Sequence, residues 1–77
     1  MPRFYFHLFN GDEVEGDPDG MELPSIEDAR AEALRVCREL RDGIPNFFRK
    51  GLAFEITDET GLVLLTVSCA DLLRMMN

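Results

Sequence analysis

The stretch Leu52-Ala53-Phe54-Glu55-Ile56-Thr57-Asp58-Glu59-Thr60-Gly61-Leu62-Val63-Leu64-Leu65-Thr66-Val67 decides the fold. Leu52, Phe54 and Ile56 alternate with Ala53, Glu55 and Thr57, the period of a half-buried strand. Asp58-Glu59-Thr60-Gly61 supplies a hairpin turn, with Gly61 suited to its left-handed position. Leu62 to Val67 is almost wholly aliphatic or β-branched and reads as a central strand. The second half of the chain is therefore a β-hairpin with one strongly apolar arm.

The first half repeats the theme. Arg3 to Phe9 reads as a strand, with Phe4, Phe6 and Leu8 on one face and Tyr5, His7 and Phe9 on the other. Asn10-Gly11 is a hairpin signal, and Asp12 to Glu15 is a charged return strand suited to a sheet edge. Gly16-Asp17-Pro18-Asp19-Gly20 is a turn by composition, and Met21 to Pro24 is a short extended lead-in.

Between the hairpins lies a helix, expected over residues 26–42. Ser25 is its N-cap in a capping-box variant with Asp28 at the third helical position. Glu27 and Asp28 suit the positive end of the helix dipole. At 100° per residue, Ile26, Ala29, Ala33, Val36, Cys37 and Leu40 fall within roughly one 100° arc. Leu34 falls on a flank with Arg30, Arg38 and Arg41. Arg35 with Glu39 and Arg38 with Asp42 are i,i+4 neighbours. Gly43 is the expected C-terminal cap residue, and Pro45 bars continuation. A short turn from Pro45 carries Phe47, Phe48, Arg49 and Lys50. Ser68 caps a last short helix bearing Leu72, Leu73, Met75 and Met76.

These readings give a single α+β domain over residues 1–77: an antiparallel sheet of three to four strands in ββαββ order, one long helix packed on one face, and a short C-terminal helix. At 77 residues there is room for one domain only. An apolar content of 45% is too high for a disordered chain. No run approaches the ~20 apolar residues of a membrane helix. Met1-Pro2-Arg3-Phe4 lacks the apolar stretch of a signal peptide, so a cytoplasmic protein is expected. Cys37 and Cys69 have no metal-ligand spacing and are expected as reduced thiols, with Cys37 acting as a small buried hydrophobe.

Eight Lys and Arg against fifteen Asp and Glu leave a net charge of −7, which steers nucleic acid away. Asp12, Glu13, Glu15, Asp17, Asp19, Glu22, Glu27 and Asp28 lie in one stretch without a base, a solubilising face or a dock for a basic protein. Arg30, Arg38 and Arg41, continued by Arg49 and Lys50, read as a solvated helix flank. Glu15, Asp17, Asp19 and Gly20 match the start of a calcium loop. The bidentate acid the loop needs at its twelfth position is Ile26, so no metal is expected. His7 is the lone histidine, with no nucleophile at a recognisable spacing, and reads as a packed or interface residue. GxGxxG and P-loop motifs are absent, so no nucleotide cofactor is expected. No catalytic residue emerges, and the chain is expected not to be an enzyme.

The anomaly is apolar supply. Tyr5, His7 and Phe9 on the second sheet face, with Phe47, Phe48, Leu72, Leu73, Met75 and Met76, exceed what one helix covers. Either the C-terminal helix folds back over that face or a second subunit covers it; the second option is favoured and makes these residues the candidate interface of a homodimer.

Four segments carry a resemblance: Met1-Pro2-Arg3-Phe4-Tyr5-Phe6-His7-Leu8, Asp17-Pro18-Asp19-Gly20-Met21-Glu22-Leu23, Ala29-Arg30-Ala31-Glu32-Ala33 and Ile56-Thr57-Asp58-Glu59-Thr60-Gly61. Together they resemble a family of short proteins from rhizobia and related proteobacteria, known as a domain of unknown function. The resemblance implies a free-standing cytoplasmic protein and no particular activity. The layout of hairpin, acidic turn and capped helix is also similar to HicB-type antitoxins, which neutralise a small basic RNA-cleaving toxin. The function expected is a non-enzymatic protein-interaction module that self-associates, with a HicB-like antitoxin as the alternative.

Overall fold

The computed structural model describes residues 1–46 and 51–72. Its strands are β1 (Arg3–Asn10), β2 (Glu13–Glu15), β3 (Met21–Glu22), β4 (Leu52–Thr57) and β5 (Val63–Ser68), with one helix, α1 (Ile26–Gly43), between β3 and β4. The class is α+β, as expected, but the antiparallel sheet has five strands. Met21–Glu22 pairs with the start of β1, so the expected lead-in is a strand and the order is βββαββ.

The sheet runs β2-β1-β4-β5, with β3 also beside β1. Its spine is the β1·β4 ladder, from Tyr5↔Thr57 to Asn10↔Leu52. Both hairpins form as local units. In the first, Asn10 pairs with Glu13, so the two loop residues are Gly11 and Asp12. Gly11 takes the positive φ of 63° that such tight loops demand at their first position. In the second, Gly61 adopts φ +90° as expected. Asp58 organises that turn: its Oδ1 accepts from the Thr60 amide (2.8 Å), the Thr60 hydroxyl (2.6 Å) and the Leu62 amide (3.1 Å).

The expectation that Leu62–Val67 is central is overturned. β5 begins at Val63 and stands at the sheet edge, and β1 and β4 are the interior strands. An apolar run reports burial or contact, not position in the sheet. Here part of the run stays in water, with Leu62, Val63 and Leu64 exposed at 62%, 47% and 41%.

Ser25 caps α1 from an extended conformation, its Oγ accepting the Asp28 amide at 3.3 Å. Asp28 completes the motif through its carboxylate, which accepts from the Ser25 hydroxyl at 2.8 Å. At the other end Gly43 stays helical, so the glycine cap expected there does not form. Pro45 holds Ile44 extended (φ −118°, ψ 115°), which ends the helix by itself, and Asn46 takes the left-handed conformation. On the outer face Arg35 bridges Glu32 and Glu39. Asp42 lies 3.5 Å from Arg41, not in the expected pair with Arg38.

Ala29, Ala33, Leu34 and Cys37 of α1 are buried against Phe4, Leu52, Phe54, Ile56, Val67, Cys69 and Leu72. Leu34 is thus a core residue, while Val36 and Leu40 are only partly covered. The buried centre of the helix is turned by roughly 40° from the expected arc, at 100° per residue. The buried face is also pinned covalently. Cys37 and Cys69 are joined by a disulfide, with their Cα atoms 5.4 Å apart. It ties mid-helix to the end of β5 and overturns the expectation of free thiols. Sequence spacing gave no sign of it, because the two residues meet only once β5 lies under the helix.

After β5 the chain forms one 3-10 turn, Cys69–Asp71, capped by Ser68, whose hydroxyl accepts the Ala70 amide at 3.3 Å. The expected C-terminal helix beyond Leu72, with Leu73, Met75 and Met76, lies outside the described residues, as do Phe47, Phe48, Arg49 and Lys50. Leu72 is in the core and offers nothing to a partner.

Candidate functional site

The most structured polar group sits on the sheet face away from α1. Phe54 and Ile56 face the helix, so their neighbours Ala53, Glu55 and Thr57 face the other way, together with Tyr5, His7 and Phe9 of β1. Sequence reasoning left this face bare. The structure instead lays the Gly16–Gly20 turn across one end of it, and Tyr5, His7 and Phe9 are half-buried within a single chain. This corrects the premise that only a tail helix or a second subunit covers the face.

Asp17 fixes that turn. Its Oδ2 accepts the Phe6 amide at 3.1 Å, while its Oδ1 accepts the amides of Asp19 (3.2 Å) and Gly20 (3.1 Å). The Asp17 amide donates to His7 Nδ1 at 3.2 Å, and His7 Nε2 lies 3.1 Å from Thr57 Oγ1. An Nδ1 that accepts must be unprotonated, so the proton sits on Nε2 and donates to the threonine. Thr57 is buried, at 4% exposure, and this is its partner.

The cluster looks like a catalytic triad in composition and differs in connection. His7 meets the backbone amide of Asp17, not its carboxylate, and the carboxylate is engaged by three amides. Burial disfavours the charged Asp17. The amide donors of Phe6, Gly20 and Asp19 outweigh it and hold the carboxyl below its ordinary value. The group is an acceptor locked to its own backbone. Gly20 closes the turn at φ +68°, where an added Cβ would stand 2.9 Å from the Phe4 carbonyl oxygen and from the Tyr5 ring.

The calcium reading meets the same geometry. Asp17 is turned inward, Glu15 lies in β2, and among the described residues no three His, Cys, Asp or Glu side chains converge. A shallow cleft by the β4–β5 turn is lined by Pro2, Arg3, Asp58, Glu59 and Thr60. Arg3 there donates to the Asp19 carbonyl (2.8 Å) and to Glu22 (3.1 Å), so its charge is committed to holding β3. On α1, Arg30 and Arg38 are exposed and Arg41 is half-buried. Glu32 lies below the usual glutamate range because Arg35 hydrogen-bonds it.

Sequence reasoning singled out His7 and Asp17 separately, and missed Thr57 and the link among the three. A histidine and a threonine two strands apart carry no shared local signal.

Fold and site together define a small sheet-and-helix domain in which the most ordered polar side chains serve their own backbone. The chain belongs to the family described as Domain of unknown function (DUF6894), whose model matches residues 3–70. No curated protein and no solved structure matches the chain. None of the described helices is long and apolar enough to cross a membrane.

Proposed function

We propose that this chain is a non-enzymatic protein-interaction module that self-associates. One observation carries the reading: Leu62, Val63 and Leu64 form a consecutive run of exposed apolar side chains on a 77-residue acidic domain. Single exposed apolar residues are ordinary, but a contiguous run on so small a surface is the mark of a contact. The interaction reading over catalysis is supported by the His7–Asp17–Thr57 cluster, whose donors and acceptors are consumed within the fold. A cytoplasmic location would require the Cys37–Cys69 disulfide to outlast a reducing thiol pool, and its burial, at 0% and 2% exposure, is what would shield it.

Light scattering on the purified chain at ~100 µM tests the reading. A mass of two chains or more supports it. A single 8.8 kDa species would overturn it, and a basic protein co-purifying with that species would favour the antitoxin-like alternative.

A further inference from the structure

We infer that the outer edge of β5 is the self-association surface, and that its occupant is the β5 of a second copy, paired antiparallel about a two-fold axis through Thr66. The inference rests on the self-association reading and gives it a geometry.

The sheet has two unlike edges. On one side β2 is three residues long, all exposed, and reads Glu-Val-Glu next to Asp12. Charge and shortness are the usual guards of an edge strand against pairing. On the other side β5 is six residues long and has no strand neighbour beyond it among the described residues. From Gly61 to Ala70 it carries neither a charge nor a proline. Its one irregularity is a bulge at Leu64, where the register passes from Ile56↔Leu65 to Thr57↔Val63. Leu65 to Ser68 continue in regular register with β4. An edge strand presents unpaired N–H and C=O groups along its length, and here nothing ionic opposes their use.

Charge selects the occupant. The chain carries −7, so another copy is repelled wherever acids face acids. Among the described strands β5 alone has no ionisable side chain, so two copies meet there without like-charge contact. Facing also agrees. Ile56↔Leu65 and Phe54↔Val67 place Leu65 and Val67 on the helix side, and Glu55↔Thr66 places Thr66 on the other. An axis through Thr66 sets Leu65 against the second copy's Val67, which joins the two cores. It also sets Thr66 against its own equivalent, a favourable cross-strand pair. The resulting sheet presents a guarded β2 edge at each end. Assembly therefore closes at two chains and does not grow into a filament.

The test is sedimentation of the full chain over ~1–100 µM, with Thr66→Lys, Leu64→Lys and Val14→Lys as variants. Thr66 stands opposite Glu55 within the chain, so a lysine there finds an intramolecular partner and the fold is kept, as circular dichroism would show. Across the axis it meets a second lysine in place of a favourable threonine pair, and the dimer dissociation constant is expected to rise by ~3–10-fold. Leu64→Lys is expected to weaken the dimer similarly, and Val14→Lys on the guarded edge to leave it unchanged. Hydrogen exchange on the unmodified chain supplies a reading that needs no variant: amides of Val63–Ser68 are expected to slow as concentration rises. A wild-type dimer indifferent to both edge lysines, or without slowing at β5, would overturn this surface while leaving self-association standing. A wild-type monomer throughout would overturn both, and open-ended polymers would overturn the two-fold geometry.

Discussion

The carboxylate of Asp17 accepts the backbone N–H of Phe6 at 3.1 Å, eleven residues back along the chain. β3 pairs with the start of β1 and β2 with its end, so Phe6 sits in the gap between them. A side chain there does the work of a neighbouring strand, and the turn that carries it shields part of the second sheet face.

Asp17→Asn keeps the shape and loses the charge. One amide oxygen cannot replace two carboxylate oxygens serving three amides. The expected cost is about 1–2 kcal/mol, a fall in Tm of roughly 5–15 °C. The sign of the pH effect follows from the lowered carboxyl: its stabilisation is present above the unfolded-state aspartate range and is lost as pH falls through the lower folded-state value. Thermal melts of the wild type should weaken in acid more steeply than those of Asp17→Asn. Parallel acid limbs would refute the role.

Gly20 and Gly11 both have positive φ, but only Gly20 is hemmed in. Gly11→Ala should cost about 1–2 kcal/mol, the steric penalty of the left-handed conformation alone. Gly20→Ala adds a clash with the Phe4 carbonyl and the Tyr5 ring and should cost clearly more. Denaturant midpoints rank the two, and equal midpoints would mean the turn does not press on β1 as described.

The Cys37–Cys69 bond closes a long loop, with a sequence separation of 32. Chain-entropy reasoning gives roughly 3–4 kcal/mol of stabilisation. Alkylation of the unfolded chain should label neither cysteine without reductant and both with it, by intact mass. Reduction should lower Tm by more than 10 °C, since roughly 1 kcal/mol corresponds to 4–8 °C at this size. Double labelling of the non-reduced chain would show that the bond does not form.

Leu34 and Val36 separate the observed orientation of α1 from the arc expected of it. Leu34→Ala should cost about 2–4 kcal/mol, as for other buried leucines. Val36→Ala should cost less, because Val36 is only partly covered. The reverse order in denaturant melts would restore the unrotated helix.

The amino-acid sequence by itself determined the elements whose causes are local. Gly11 and Gly61 mark their turns because positive φ is cheap only without a Cβ. Ser25 opens the helix because its oxygen satisfies an amide three residues on. Leu52, Phe54 and Ile56 declare a strand because alternation is a property of neighbours in the chain. The cover of the far sheet face, the bond between Cys37 and Cys69, the burial of Leu34 and the edge position of β5 were decided by the tertiary structure. Each joins groups distant in sequence, and which of them meet depends on how the long loops close and how the strands are ordered. The apolar run after Gly61 shows the division plainly: its composition announces a strand with something to cover, and only the packed sheet reveals that one side of that strand is left open.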